Sequence, residues 1–208
     1  MIELKNIQPT YMSEAEVSAS DIFLMDNVTF NKGMNYLIKA HSGRGKSTIL
    51  NIIYGNNPNY NGNVIYKFQE NNNPIEIRRK HISYVFQDFK LFPDLTLMEN
   101  IQLKNRLTNH KSTQEINQLI EKVQLDHRVN HLVGKLSLGQ RQRVAIIRSL
   151  CQPFDFLLMD EPFSHLDENN IHIISDIIKD ELTERNAGLI ITSLDDQLRF
   201  NYDKILNL

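Results

Sequence analysis

The chain has 208 residues, 41% hydrophobic and 23% charged, which suits a single folded unit and excludes wholesale disorder. Its 23 basic and 25 acidic residues leave a net charge of −2, which excludes the strongly basic balance of a dedicated nucleic-acid binder. The lone Cys151 cannot close an internal disulfide, no apolar run reaches the ~20 residues of a membrane span, and the start lacks a signal-peptide layout; the expectation is a soluble, intracellular chain.

In chain order, β-branched and aromatic runs predict strands over 3–8, 22–30, 35–39, 64–68 and 82–86, with a helix over 46–54. The Asn-rich stretches 56–63 and 71–73 read as turns. From 89 to 150 the strand signals stop, and helices are predicted over 97–107, 113–123 and 138–150, with Ser112 the N-cap of the second. Strands over 156–159, 189–192 and 204–207 and helices over 168–185 and 195–201 complete the chain. Strands alternating with helices predict an α/β fold with a largely parallel sheet. No repeat or Gly/Ser linker divides it, so the expectation is one domain over 1–208. Its core comes from 1–88 and 151–208, and a helical lobe from about 89–150.

Three segments carry chemistry. Ser42-Gly43-Arg44-Gly45-Lys46-Ser47-Thr48 follows a strand and opens a helix. Backbone N–H groups of such a loop converge on phosphate oxygens, and the helix dipole adds positive potential. Lys46 reaches the β- and γ-phosphates and the Ser47 hydroxyl binds Mg²⁺ in such a loop, although Ala40 stands where the full pattern has its first glycine. Phe156-Leu157-Leu158-Met159-Asp160-Glu161-Pro162 reads as a buried strand ending in two acids at the sheet's carboxyl edge. Asp160 suits a Mg²⁺ shell, and Glu161 a general base that polarises water. Leu136-Ser137-Leu138-Gly139-Gln140 is a second anion-binding helix start, which one nucleotide in one chain does not need.

These motifs, in this order, resemble the nucleotide-binding subunit of ATP-binding cassette (ABC) proteins along nearly the whole chain. Residues 43–48 resemble the Walker A loop, 157–161 the Walker B strand with its catalytic glutamate, and 136–140 the LSGGQ signature. Gln87 resembles the Q-loop glutamine, which touches Mg²⁺ and the attacking water. Residues 164–167 resemble the D-loop, and Tyr11 the aromatic that stacks on adenine. The resemblance implies a P-loop NTPase fold with a mostly parallel core sheet, an antiparallel β portion and an inserted helical lobe. It implies ATP and Mg²⁺ as ligands. His41, Ser42, Gly43, Arg44, Gly45, Lys46, Ser47 and Thr48 would hold nucleotide, with Ser137, Gly139 and Gln140 covering it from a second cassette. Ser47, Gln87 and Asp160 would hold the metal. It further implies a membrane permease docked in a groove near the Q-loop, and hence a place on the cytoplasmic face of the cell membrane.

Three positions depart from the pattern: Ala40, Leu138 in place of the first signature glycine, and Ser193 in place of the switch histidine. Serine is shorter and carries no charge, so Ser193 joins Glu161 and Gln87 as a catalytic position with slow turnover expected. His165 in the D-loop is a candidate to stand in for the missing imidazole. The subfamily most resembled is the lipoprotein-releasing, macrolide-exporter and cell-division class. The alternatives are a weakly hydrolysing regulatory cassette and a soluble non-transport cassette. His127 and His131, Arg141, Arg143 and Arg148 read as surface, Cys151 as a packed thiol, and no nucleic-acid partner is expected.

Overall fold

The computed structural model describes residues 1–208 apart from 42, 69–72 and 195–199. The first half runs β1 (Ile2–Pro9), α1 (Glu14–Ser18), β2 (Asn27–Phe30), β3 (Asn35–Lys39), α2 (Lys46–Ile53), β4 (Tyr60–Tyr66), the short α3 (Pro74–Glu76) and β5 (Ile82–Val85). Then come α4 (Leu97–Asn105), α5 (Thr113–Lys122), α6 (Leu138–Leu150), β6 (Phe156–Asp160), α7 (Glu168–Arg185), β7 (Gly188–Ser193) and β8 (Lys204–Asn207). A π-helical turn, Ile77–His81, joins α3 to β5.

Two sheets form. β1 pairs antiparallel with β2 and β4. The other sheet is parallel, in the order β5-β6-β7-β3-β8. Its strands are apolar on both faces because both are covered. Leu157 and Met159 of β6, Leu189 and Ile191 of β7 and Leu37 of β3 pack against Ile101, Ile116, Ile147 and Ile178 of α4–α7. The alternate residues Phe156, Leu158, Ile190, Tyr36 and Ile38 face α2 and the antiparallel sheet. The two-residue side-chain period of a strand thus feeds two cores. This is the mixed α/β architecture expected, with the antiparallel portion present.

Among the described residues, four helices open with a capping box, in which a Ser or Thr side chain accepts from the third helical N–H and a Glu or Gln returns to the cap. The pairs are Ser13 with Glu16, Thr96 with Glu99, Ser112 with Glu115 and Ser137 with Gln140. Ser112 caps α5 as its sequence requires. Between Thr96 and Leu150 the chain has no strand longer than a single bridge, Thr96 with Leu132.

The sequence misplaces several boundaries. The strand expected over 22–30 begins only at Asn27, because Ile22 and Phe23 bury from a turn whose N–H groups bond the Ser20 hydroxyl. The strand expected over 64–68 starts at Tyr60, so part of the supposed turn 56–63 is paired with β1 across a bulge between Lys5 and Gln8. Asn73 caps α3 through its side chain, and the rest of the turn expected over 71–73 lies outside the described residues. The helix expected over 195–201 falls mainly outside the described residues.

Four site segments leave the parallel sheet at its carboxyl edge. The loop before α2 follows β3, Asp160 ends β6, Ser193 ends β7, and Gln87 lies two residues beyond β5. That is the edge where α/β folds bind ligands.

Candidate nucleotide site

Gly45 begins the site. It stands at the N-cap of α2 with φ 94° and has no side chain to cap with, so among the described residues the first N–H groups of the helix are left without a capping side chain. A Cβ at Gly45 would lie 2.5 Å from Met12 Cε, which adds close packing to the left-handed backbone. Lys46 follows, only 5% exposed. Its ammonium donates to Ala40 O at 2.6 Å and His41 O at 3.1 Å, and pairs with Glu161 Oε1 at 3.1 Å. A buried ammonium fully surrounded by acceptors is held at one point rather than swinging free. The Ala40 carbonyl thus helps hold the lysine.

The acids are placed by β7. Thr192 Oγ1 donates to Asp160 Oδ1 at 2.7 Å and accepts from Glu161 N at 3.2 Å. Asp160 is 3% exposed, and Glu161 bends away with φ 47°, a left-handed conformation uncommon for glutamate. That bend turns the second carboxylate out of the strand, toward Lys46 and toward Gln87 Nε2, which donates to Glu161 Oε2 at 3.5 Å. Gln142 of α6, buried, fixes the turn from behind: its Nε2 donates to Glu161 O and its Oε1 accepts from His165 N.

Two hollows meet at Ser47, Thr48 and Gln87. One, of about 300 Å³, holds Tyr11, Gly43, Gly45, Lys46 and Glu161; the other, of about 620 Å³, holds Asn51, Asn57, Tyr84 and Asp160. Tyr11 is 59% exposed, and its hydroxyl lies 2.8 Å from Thr48 Oγ1. The side chains of His41 and Arg44 are exposed, whereas Ser42 lies outside the described residues. Ser193 shares a third hollow, of about 290 Å³, with Glu161, Thr192 and Phe163.

The other helix start lies apart. Neither hollow at the Lys46 loop is lined by Ser137, Gly139 or Gln140 among the described residues. A Cβ on Gly139 would meet His165 O at 2.7 Å, so glycine there permits 164–167 to pack against α6. Leu138 is 47% exposed beside it.

A profile of the ABC transporter family matches residues 25–164. The lipoprotein-releasing system ATP-binding protein LolD of Francisella tularensis is 30% identical over the whole chain and 93% of its own length. The probable ABC transporter ATP-binding protein PEB1C of Campylobacter jejuni is 33% identical over 93% of this chain and 80% of its own. Among solved structures, the dimeric bacterial cassette MJ0796 superposes with a TM-score of 0.78 at 31% identity, covering 94% of this chain and 88% of that one. The same cassette in a post-hydrolysis state bound to ADP and Pi gives 0.76 at 30%.

The chain belongs to the ABC transporter family. It is an ABC-type ATPase and the ATP-binding subunit of a transporter. Among the described residues, no helix of this cassette is long and apolar enough to cross a membrane.

Several residues that hold this cassette's site together carry no local signal. Thr192 and Gln142 act through neighbours that only the fold supplies. Arg148 reads as surface charge in the sequence, but it is clamped, donating from Nη1 to Lys90 O and from Nη2 to Phe89 O at 2.7 Å each. Those two residues, at φ 48° and 63°, form the left-handed turn after Gln87. Burial lowers the Arg148 pKa to about 10. Arg143 is likewise tied to Val123 O and Asn170 Oδ1. Asn100, fully buried, closes the next loop through Phe92, Leu95 and Thr96. Phe89 buries, but Phe92 of the same aromatic cluster is 54% exposed. Cys151 packs at the C-cap of α6, its thiol pKa pushed up to about 12 by burial. His165 Nδ1 lies 2.9 Å from its neighbour Ser164 Oγ, with its ring edge-on to Phe89. His127 sits in a 3-10 turn rather than on a helical face shared with His131.

Proposed function

We propose that the cassette binds Mg-ATP at the loop before α2 and hydrolyses it with Glu161 as base, coupling the cycle to a separate membrane permease. The observation that carries this reading is the gathering of Lys46, Asp160, Glu161 and Gln87 at one sheet edge. The open N–H groups of α2 and the Lys46 ammonium suit the phosphates, and Tyr11 is the adenine platform. Ser47, Gln87 and Asp160 suit Mg²⁺, a cation that takes one carboxylate and neutral oxygens together with substrate phosphates. Bound there, Mg²⁺ would neutralise charge on the transferring phosphoryl group.

The γ-phosphate competes with Glu161 for Lys46, which frees that carboxylate for water. Water oxygen then attacks γ-phosphorus while its proton passes to Glu161. The bond to the β-phosphate oxygen breaks, and ADP departs with the electron pair. Ser137, Gly139 and Gln140 lie away from this site in their own chain, so they are assigned to the nucleotide of a second, head-to-tail cassette. Dimers of MJ0796 support that assignment. The helical lobe, about 89–150, would carry this signature, and residues 1–88 and 151–208 the nucleotide. The permease would seat this chain on the inner face of the membrane, with no nucleic-acid partner. LolD supports the lipoprotein-releasing class.

The test is Mg-ATP turnover of the purified chain with its permease: Glu161→Gln lowers it by on the order of 10²–10⁴-fold while ATP binding persists. Unchanged turnover in that variant refutes the assignment of the base. Ser193 at the end of β7 leaves no imidazole at the switch position, which favours slow turnover and keeps a weakly hydrolysing regulatory cassette as the second reading. Ser193→His raises turnover on the order of 10²-fold if a missing positioned donor limits the rate. An already brisk wild-type rate with no gain removes that explanation.

A further inference from the structure

Tyr84 belongs to β5 and is only 6% exposed. Its ring is pinned, 3.9 Å from the Phe86 centroid and edge-on to Tyr54 at 5.3 Å, so the hydroxyl cannot turn away to solvent. That hydroxyl is buried and completes no hydrogen bond among the described residues. A buried phenol without a partner costs free energy that phenylalanine, filling the same space, would avoid. Ring packing therefore accounts for the aromatic side chain but not for its oxygen.

The register of the sheet shows what the oxygen faces. Tyr84 lies opposite Leu158 of β6, so Tyr84 and Asp160, two residues beyond Leu158, project from neighbouring strands to one face. Both line the hollow of about 620 Å³, together with Ser47 and Gln87, the other residues suited to Mg²⁺. Asp160 is itself buried, and its carboxylate is held on one side only. Its Oδ1 accepts from Thr192 Oγ1 at 2.7 Å, and among the described residues its Oδ2 accepts from none. Asp88 also lines the hollow, but it is exposed and paired with Lys90 at 2.6 Å. Burial, then the charges of Asp160 and Asp88, push the Tyr84 pKa up, so the phenol keeps its proton. A donor without an acceptor and a carboxylate with one oxygen unused thus line the same hollow.

We propose that Tyr84 is a positioning residue for the metal: when Mg²⁺ is bound, its phenol donates to the Asp160 carboxylate and, with Thr192, holds that group from both sides. The terminal torsion of aspartate is broad, so one donor leaves the carboxylate plane free to turn and a second fixes it. An ionised carboxylate offers about four lone-pair sites, so two donors leave room for a cation and its waters. The hydroxyl therefore destabilises the free chain and stabilises the loaded one. This role rests on the reading of Asp160 as a metal residue and adds the group that orients it.

The test is Tyr84→Phe, which removes the oxygen and keeps the ring, in the full chain carrying Glu161→Gln to slow hydrolysis. Calorimetry gives the ATP affinity in Mg²⁺ and in EDTA. Tyr84→Phe lowers the affinity about tenfold in Mg²⁺, as loss of one hydrogen bond to a charged group does, and leaves it within about twofold in EDTA. Thermal unfolding of the nucleotide-free chain gives a Tm equal to or above that of the parent, because an unpartnered buried hydroxyl is gone. In an Asp160→Asn background the same substitution changes the Mg²⁺ dependence no further, as coupling through that carboxylate requires. An equal loss in Mg²⁺ and EDTA makes Tyr84 a packing residue and overturns the proposal. So does no loss in either, or a lowered Tm of the free chain. If Asp160→Asn abolishes the Mg²⁺ dependence and Tyr84→Phe leaves it intact, the metal reading stands and Tyr84 has no part in it. If Asp160→Asn leaves the Mg²⁺ dependence intact, both are refuted.

Discussion

Helices α2 and α6 both begin at a glycine-bearing turn, and their first turns are built in opposite ways. At α2 the N-cap is Gly45, which has no side chain to cap with, and Lys46 is drawn back onto the loop carbonyls of Ala40 and His41. At α6 the N-cap is Ser137, whose hydroxyl accepts from Gln140 N while Gln140 Oε1 accepts from Ser137 N. The first leaves its N–H groups to a ligand, and the second satisfies two of its own. An anion therefore meets the first N–H groups of α2 without displacing a capping side chain, but at α6 it competes with Gln140 or Ser137. The difference teaches that two helix starts with similar sequences need not bind anions equally: α2 suits tight binding in a single chain, and α6 suits contact that forms and breaks.

The largest effect that would test this contrast is at Lys46. Lys46→Ala lowers ATP affinity on the order of 100-fold, from the loss of about 3 kcal/mol of charged hydrogen bonding, measured by calorimetry on the single chain. Ser137→Ala leaves that affinity within twofold, and an equal loss in both variants would erase the contrast. Next is Gly139→Ala, whose Cβ meets His165 O at 2.7 Å. Shifting 164–167 off α6 reduces ATP-dependent dimerisation of the Glu161→Gln chain about tenfold in sedimentation, with single-chain ATP affinity kept. The smallest is the cap itself: Ser137→Ala costs about 1 kcal/mol, a fall of roughly 2–4 °C in Tm. No change in Tm would mean the capping box holds nothing.

The sequence displays the segments in which local pattern and tertiary role agree. The apolar run ending at Asp160 and the glycines before Lys46 are legible because a buried parallel strand and a phosphate loop each need specific residues in consecutive positions. Capping boxes are equally visible, and Ser13 with Glu16 marks α1, a stretch for which no element is predicted. The first half of β4 is hidden for a different reason. Its Asn61, Gly62 and Asn63 favour turns, and pairing with β1 overrides that preference. Gln142 and Arg148 could not be read at all, since each acts on backbone more than a dozen residues distant in the chain.

Those two residues give α6 a mechanical character. Its 13 residues form a rod of about 20 Å, since each adds roughly 1.5 Å. The tip at Gly139 abuts the carbonyl of His165, the middle grips the Glu161 turn through Gln142, and the far end holds the backbone after Gln87 through Arg148. With Gln142 as fulcrum, three residues from Gly139 and six from Arg148, a tilt of about 5° moves the two contacts in opposite directions by roughly 0.4 and 0.8 Å. The contact at the His165 carbonyl is thereby tied to the position of the backbone after Gln87.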